Sequence, residues 1–485
     1  MMRLETDAAE LELAGEDLSI EIANPYFDTN AIPGVSTLPF DLPMSKPNLR
    51  GLNFPDRYRG PGGPPPVGAR LFVDGPLYKV GKLVYQSADA KGRKLGYKFV
   101  ADSADLATDI RDVLISALDL GTVPLQRLPS TDEYVLAPVR NPVFFDDKNP
   151  AFKSGVLNYY VDGAFPTGAG YPLAPMPYLV PVLRKVMAHF GWSVAGPWLD
   201  DAEIQTLVIY SDRVLATDAT EVVLARHVPD ISVGQFLLGL QNLPCLGLDF
   251  NAQRRVLTIR PLRDVVAAAR TAYVDRTGTK RKSTPNTTNG FLLQQAPDTE
   301  DDLDKRLDVG WQQMRVGAGA EIIECLAGSL HQVEAEDPLV KGRTWLLPTL
   351  EATGAGPEYE MGDEIRVGLR LLFYRGLQED SAGNDYPLAS REAVNLNGAS
   401  VGKYSLSWGG PKGLYAKWHQ PWLDFRARAV MTEYEVVFRI ADLQALQPGV
   451  AERIDEHLHL WESVSVNLKS DQRLGKATIT YWELL

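Results

Sequence analysis

Val430-Met431-Thr432-Glu433-Tyr434-Glu435-Val436-Val437-Phe438-Arg439-Ile440 is the stretch that sets the fold class. Val430, Thr432, Tyr434, Val436, Phe438 and Ile440 recur with period two, which in an extended chain puts all six on one face. A helix would scatter them around its axis. Ile365, Val367, Leu369, Leu371 and Phe373 alternate in the same way, as do Leu458, Leu460, Val464, Val466 and Leu468, and residues 477–482 close the chain as a further strand. Long antiparallel strands of a barrel or sandwich are expected.

Working toward the N-terminus, Leu18-Ser19-Ile20-Glu21-Ile22 reads as a half-buried strand. Asp74-Gly75, between Ala69-Arg70-Leu71-Phe72-Val73 and the apolar run 77–85, predicts a hairpin, with a further strand over 97–100. Pro25, Pro33, Pro39, Pro43, Pro47 and Pro55 punctuate this region, and Gly60-Pro61-Gly62-Gly63-Pro64-Pro65-Pro66 can only be a stiff loop.

The middle of the chain changes period. Leu179, Val182, Leu183, Val186 and Phe190 share a helical face that Gly191 can end. Strands are expected over 192–194 and 204–210. Ser232 with Gln235 forms a capping box, and Ile231 and Phe236 are spaced as its hydrophobic staple. Strands over 245–250 and 256–259 follow, joined by a turn at Asn251-Ala252-Gln253. Each segment thus reads as helix then hairpin, which raises a divergent internal duplication. Residues 275–310 are polar, basic first and then acidic, and predict a linker or loop.

The expected fold is therefore mainly β with an α/β middle region: β-barrel or sandwich domains with inserted helix-hairpin units. The expected division is a β-rich domain over 1–140, an α/β domain over 141–274, the polar segment 275–310 and a second β-rich domain over 311–485.

The chain has 485 residues with 62 acids against 49 bases, a formal charge of −13. That balance disfavours clamping of nucleic acid, whose phosphates need Lys and Arg. It is compatible with DNA passing nearby without sticking. Two cysteines, Cys245 and Cys325, form neither a disulfide framework nor a four-ligand zinc site, and their apolar settings predict buried thiols. The start, Met1-Met2-Arg3-Leu4-Glu5-Thr6-Asp7, lacks the order of a signal peptide, and no apolar window is long enough to span a membrane. Synthesis and folding in the cytoplasm are expected.

A search for chemistry gives no catalytic, cofactor-binding or metal site. Gly398-Ala399-Ser400-Val401-Gly402 matches the nucleophile elbow in letters, but the elbow needs a helix after the serine, and Lys403-Tyr404-Ser405-Leu406-Ser407-Trp408 reads as a strand. Gly317-Ala318-Gly319 lacks the third glycine of a dinucleotide loop. His457 and His459 share one face of a strand and could hold a metal, though a solvated or interface-facing pair is the plainer expectation. The acidic run from Asp298 to Asp304 lacks the glycine and closing glutamate of a calcium loop. Trp408, Tyr415, Trp418, Trp422 and Phe425 could stack on a sugar, but serve more often as core or subunit contacts.

Several stretches resemble tail-tip or baseplate hub proteins of Bacteroidetes-type phages and prophages. Thr37-Leu38-Pro39-Phe40-Asp41-Leu42-Pro43, Asn48 and Leu52-Asn53-Phe54-Pro55-Asp56-Arg57 resemble the family's opening, and residues 71–83 its following hairpin. Tyr178-Leu179-Val180 through Gly191-Trp192, with Leu207-Val208-Ile209-Tyr210, is similar to its first helix-plus-strand unit. Val228-Pro229-Asp230-Ile231-Ser232-Val233-Gly234-Gln235-Phe236-Leu237 is similar to the second. The likeness covers roughly residues 35–265.

The resemblance implies a virion protein related in architecture to contractile-tail and type VI secretion hubs, which are trimers of β-barrel domains with α/β inserts. It implies a seat between the tail tube and the spike, around the channel for DNA ejection. Implied partners are further copies of the chain, a tail tube or distal tail protein, a tape measure protein and a spike or other tip protein, with no cofactor. The alternatives are an envelope glycan hydrolase and a carbohydrate-binding receptor module at the tail tip.

Overall fold

In the computed structural model, residues 2–13, 18–28, 36–37, 40–60, 63–73, 75, 77–101, 110–141, 155–168, 170–251, 254–271, 273–286, 288, 290–296, 301, 303, 313–319, 321–351, 368–439, 442, 446–468 and 474–484 are described. Ile365, Val367, Ile440, Asp74 of the expected hairpin turn and most of the acidic run 298–304 lie outside them.

The fold is mainly β with an α/β middle region. A 14-stranded sheet draws on both ends of the chain. Its path runs Glu10–Leu11, Met2–Thr6, Val67–Val73, Leu77–Asp89, Lys94–Ala101, Ser36–Thr37, Leu18–Ala23, His457–Leu468, Leu474–Glu483, Met431–Arg439 and Gly278–Thr284. The join is Leu18–Ala23 on His457–Leu468, antiparallel, with Ile20 opposite Val466. The sheet therefore unites the two stretches that sequence reading put in separate β-rich domains.

One face of this sheet closes over its own core, in which Leu4, Leu71, Leu83, Tyr97, Phe99, Val436, Val464 and Ile479 are buried. Met431–Arg439 shows the alternation at work, with Thr432, Tyr434 and Val436 buried and Val437 63% exposed. Asn48 pins the N-terminal segment to this body. Its Nδ2 donates to the carbonyls of Glu12 and Pro43, both at 2.9 Å, and its Oδ1 accepts from Glu12 N–H at 2.8 Å.

His457–Leu468 corrects the simple alternation expected there. Its pairing with Leu474–Glu483 shifts register between Trp461 and Ser463, a bulge at Glu462. A bulge inserts one residue and so exchanges the faces. Trp461, Val464 and Val466 consequently share the sheet's own core, whereas Leu460 joins the other, larger core.

That larger core is built mostly from elements between residues 110 and 429, with Tyr26, Ala451, Leu460 and Trp482 joining it. Helix Leu179–His189 ends at Phe190, and Gly191 takes φ +73°, as its sequence predicts. Helix Val233–Asn242 carries the expected capping box: Gln235 N–H donates to Ser232 Oγ at 3.2 Å, and Ser232 N–H donates to Gln235 Oε1 at 3.0 Å. The hairpin Leu246–Asn251 with Val256–Pro261 follows it, with Leu248 opposite Ile259.

Two further expectations are corrected. The first unit is not a helix plus hairpin, because its strands part company. Ser193–Ala195 lies parallel to Val256–Pro261, whereas Leu207–Ile209 pairs antiparallel with Leu371–Glu379. The polar segment 275–310 is not a plain linker either. Gly278–Thr284 is a strand on Met431–Arg439, and Gly290–Gln295 is the middle strand of a three-stranded sheet. Neighbouring strands supply the ladder bonds for both, while only Gly290–Gln295 is largely buried and Gly278–Thr284 stays exposed. Among the described residues, no helix is long and apolar enough to cross a membrane.

Candidate functional site

The C-terminal aromatics come first because they could have bound a ligand. Tyr415–His419 forms a π-helical turn that runs straight into helix Gln420–Arg428. Trp408, Trp418, Trp422 and Phe425 are all buried in the larger core, with Tyr415 packed against it. Trp422 lies 5.2 Å from Phe27 and 5.3 Å from Phe425, centroid to centroid. Ring faces engaged by other rings are not open to a sugar. Tyr415, Trp418, Trp422 and Phe425 sit on this turn and helix, and Trp408 on an irregular stretch before them.

His457 and His459 are separated by burial. The His457 ring is 63% exposed, with Nδ1 2.7 Å from Glu483 Oε1. His459 is buried between Tyr434 and Tyr481, at 5.6 and 5.5 Å. Burial, first of all, pushes its imidazole below the ordinary histidine value, although Glu483 acts against this. The pair does not point jointly at solvent. Among the described residues, no group of three or more His, Cys, Asp or Glu is placed to hold a metal ion.

Ser400 forms an antiparallel bridge with Val394 that closes a turn in which Gly398 takes φ +75°. The following residues, 401–408, form neither strand nor helix, which corrects the expected strand. Lys412 Nζ donates to Ser400 Oγ at 2.5 Å and to the Gly402 carbonyl at 2.7 Å. These two hydrogen bonds tie the side chain of Lys412 to the loop at Ser400 and Gly402. Cys245 and Cys325 are both buried, as expected. Burial pushes the Cys245 thiol up to about 12, far from the thiolate that nucleophilic chemistry needs. Asp301, from the acidic run, is buried and accepts from the Leu303 and Glu351 amides at 3.0 and 3.1 Å.

Three ionic clusters that sequence reading missed are the most organised polar features. In the first, Arg343 Nε donates to Asp380 Oδ2 at 2.6 Å, and its Nη1 donates to Asp337 Oδ2 at 3.1 Å. Tyr159 donates to the same Asp337 at 3.0 Å, and the guanidinium lies 4.1 Å from the Trp345 ring centroid. Burial pushes Asp380 up. The Asn384 and Ala382 amides and the Arg343 guanidinium outweigh that, and hold the carboxyl below its ordinary value.

In the second cluster, Arg375 donates to Glu203 Oε1 and to the Tyr404 carbonyl, both at 2.6 Å. Glu203 also accepts from the amides of Lys403 and Tyr404, while Asp201 accepts from Lys403 Nζ at 2.8 Å and Tyr404 Oη at 2.9 Å. In the third, Arg276 donates to Glu452 at 2.5 Å, and Tyr481 donates to the same carboxylate.

Each cluster spans a long stretch of chain: 178 residues from Tyr159 to Asp337, 172 from Glu203 to Arg375 and 176 from Arg276 to Glu452. No local spacing in the sequence could have signalled them. Their carboxylates already accept hydrogen bonds from neighbouring groups, so the chemistry of these clusters is cross-linking, which fixes distant segments against one another.

No protein-family model matches the chain, and no curated protein does. Among solved structures it is similar to a tail protein from Neisseria meningitidis MC58, with a TM-score of 0.38, 10% identity, and coverage of 99% of this chain and 96% of that one. It is similar to the 43 kDa tail protein of prophage MuSo2 from Shewanella oneidensis, at TM-score 0.38 and 10% identity over 99% and 95%. A third similar chain is an E. coli type VI secretion component described as resembling T4 bacteriophage tail proteins, at TM-score 0.33 and 7% identity over 99% and 76%. At these scores and identities the likeness carries no argument about function.

Proposed function

We propose that this chain is a structural virion protein of a phage-type tail, the tip or baseplate hub that joins the tail tube to the tip or spike. One observation carries the reading. A barrel-like sheet built mainly from both chain ends carries most of the 110–429 stretch as a body inserted between Lys94–Ala101 and Met431–Arg439, and that stretch returns to the sheet only at Tyr273–Asp275 and Gly278–Thr284. That is the arrangement of β-barrel with α/β insert that the sequence resemblance implies. The long-range ionic clusters support a part whose task is rigidity.

In this reading three copies form a ring around the channel for DNA ejection, and the chain performs no catalysis. The tail tube or distal tail protein, the tape measure protein and the spike are its neighbours, and DNA passes without specific binding. A sugar-binding role at the tail tip is the weaker reading, because the tryptophans that would serve it are buried. Electron cryo-microscopy of purified particles tests the proposal. Density for this chain at the tail tip is the expected result, and finding it only in host cytosol overturns it.

A further inference from the structure

The segment 46–59 projects an aromatic and basic knob. Helix Lys46–Gly51 leads into Asn53 and Phe54, two successive non-glycine residues in the left-handed region, at φ +59° and +54°. Such backbone is costly and persists where the surroundings hold it. Here it turns Phe54 and Tyr58 outward, 42% and 43% exposed, with the Arg57 guanidinium 4.9 Å from the Phe54 ring centroid. Lys46, Arg50, Arg57 and Arg59 stand against Asp56 alone in this segment, within a chain whose net charge is −13. Aromatic rings ringed by arginine are what protein interfaces use as anchors.

A complementary surface lies on the other body. Glu334, Glu336, Glu379 and Asp385 are exposed, and the turn after Glu336 exposes Leu339 at 45%, with Lys341 as the exposed base in that turn. They belong to one patch. Glu336 stands opposite Thr344, Thr344 N–H donates to Ser381 Oγ at 2.7 Å, and Glu379 stands opposite Asp385. The Arg343–Asp380 pair fixes the two hairpins beneath it.

We infer that the knob of one copy docks on the acidic patch of a second copy, head to tail, with Phe54 and Tyr58 against Leu339 and the arginines against the carboxylates. A heterologous contact of this kind closes into a ring if its rotation permits. The inference names the surfaces through which the copies in the proposed hub would meet, and so rests on that reading for its biological setting. The contact itself is tested independently.

Sedimentation velocity of the full chain across a concentration series, at low and high salt, is the test. Wild type should associate, and more weakly as salt rises. A knob variant, Phe54→Ser with Arg57→Glu, and a patch variant, Glu336→Lys with Glu379→Lys, should each lose at least about tenfold in self-association, with circular dichroism unchanged. Mixing the two variants should restore a dimer and nothing larger, because one intact knob and one intact patch remain. A wild type that stays monomeric, or association unchanged by either pair of substitutions, overturns this contact. None of these outcomes touches the location of the chain in the particle.

Discussion

Arg343 and Asp380 meet at 2.6 Å, with side chains 3% and 0% exposed, and so tie the strand Thr344–Thr349 to the turn between Leu371–Glu379 and Asp385–Ser390. A buried pair of this kind contributes little compared with well-packed apolar residues, but removing one partner strands a charge. Arg343→Met should therefore cost about 3–5 kcal/mol, read as a lowered denaturation midpoint. Asp380→Asn should cost less, since the amide keeps some of the hydrogen bonds.

The same carboxyl sets an acid response. Asp380 is held below its ordinary value in the fold, so its stabilisation is fully present above the unfolded aspartate value and lost as pH falls through the depressed one. Asp201 behaves likewise, because Lys403, the Glu203 amide and Tyr404 outweigh the effect of burial. Unfolding midpoints should fall below about pH 4, and less steeply in Asp201→Asn than in wild type.

A second acid response comes earlier and from histidine. Burial lowers His227 to about 3 and His419 to about 4. His419 Nε2 lies 2.9 Å from the Leu243 carbonyl. Both imidazoles stay neutral in the fold while the unfolded chain binds protons, so stability drops as pH falls below the ordinary histidine value. The drop is about 2 kcal/mol per imidazole at pH 5. Chemical denaturation at pH 7 and pH 5 should show it, and His419→Gln should reduce the difference between the two.

Gly196 has φ +133°, and a Cβ there would stand 2.0 Å from the Ile259 carbonyl oxygen. Because that carbonyl is backbone, no side-chain adjustment relieves the clash. Gly196→Ala should prise Ser193–Ala195 from Val256–Pro261 and cost more than about 3 kcal/mol, visible as loss of soluble protein or a much lower melting temperature.

Ser232→Ala removes one half of the capping box and should cost about 1 kcal/mol. Ser232→Asp should retain most of the stability, because a carboxylate accepts the same amide and favours the helix N-terminus. Thermal unfolding of the two variants side by side decides this.

Much of the architecture could be read from local pattern, because strands, helix ends and caps are specified by neighbours in sequence. Met431–Arg439, helix Leu179–His189 with Gly191 after it, and the Ser232–Gln235 box are examples. The strand at Gly278–Thr284 was hidden, since Lys280, Arg281 and Lys282 suit a sheet edge only once Met431–Arg439 is there to pair with. The polar clusters were hidden for a related reason: Arg343 and Arg375 carry no mark of which carboxylates they will meet.

By itself the sequence determined the class of fold, the period of elements such as Met431–Arg439 and helix Leu179–His189, and the burial of Cys245 and Cys325, all of which follow from residues within a few positions of one another. Only the tertiary structure decided that both ends of the chain share one sheet, that the bulge at Glu462 sends Leu460 and Val464 into different cores, and that His457 and His459 part. Those outcomes depend on contacts across hundreds of residues, and a one-residue shift of register is enough to exchange the faces of a strand.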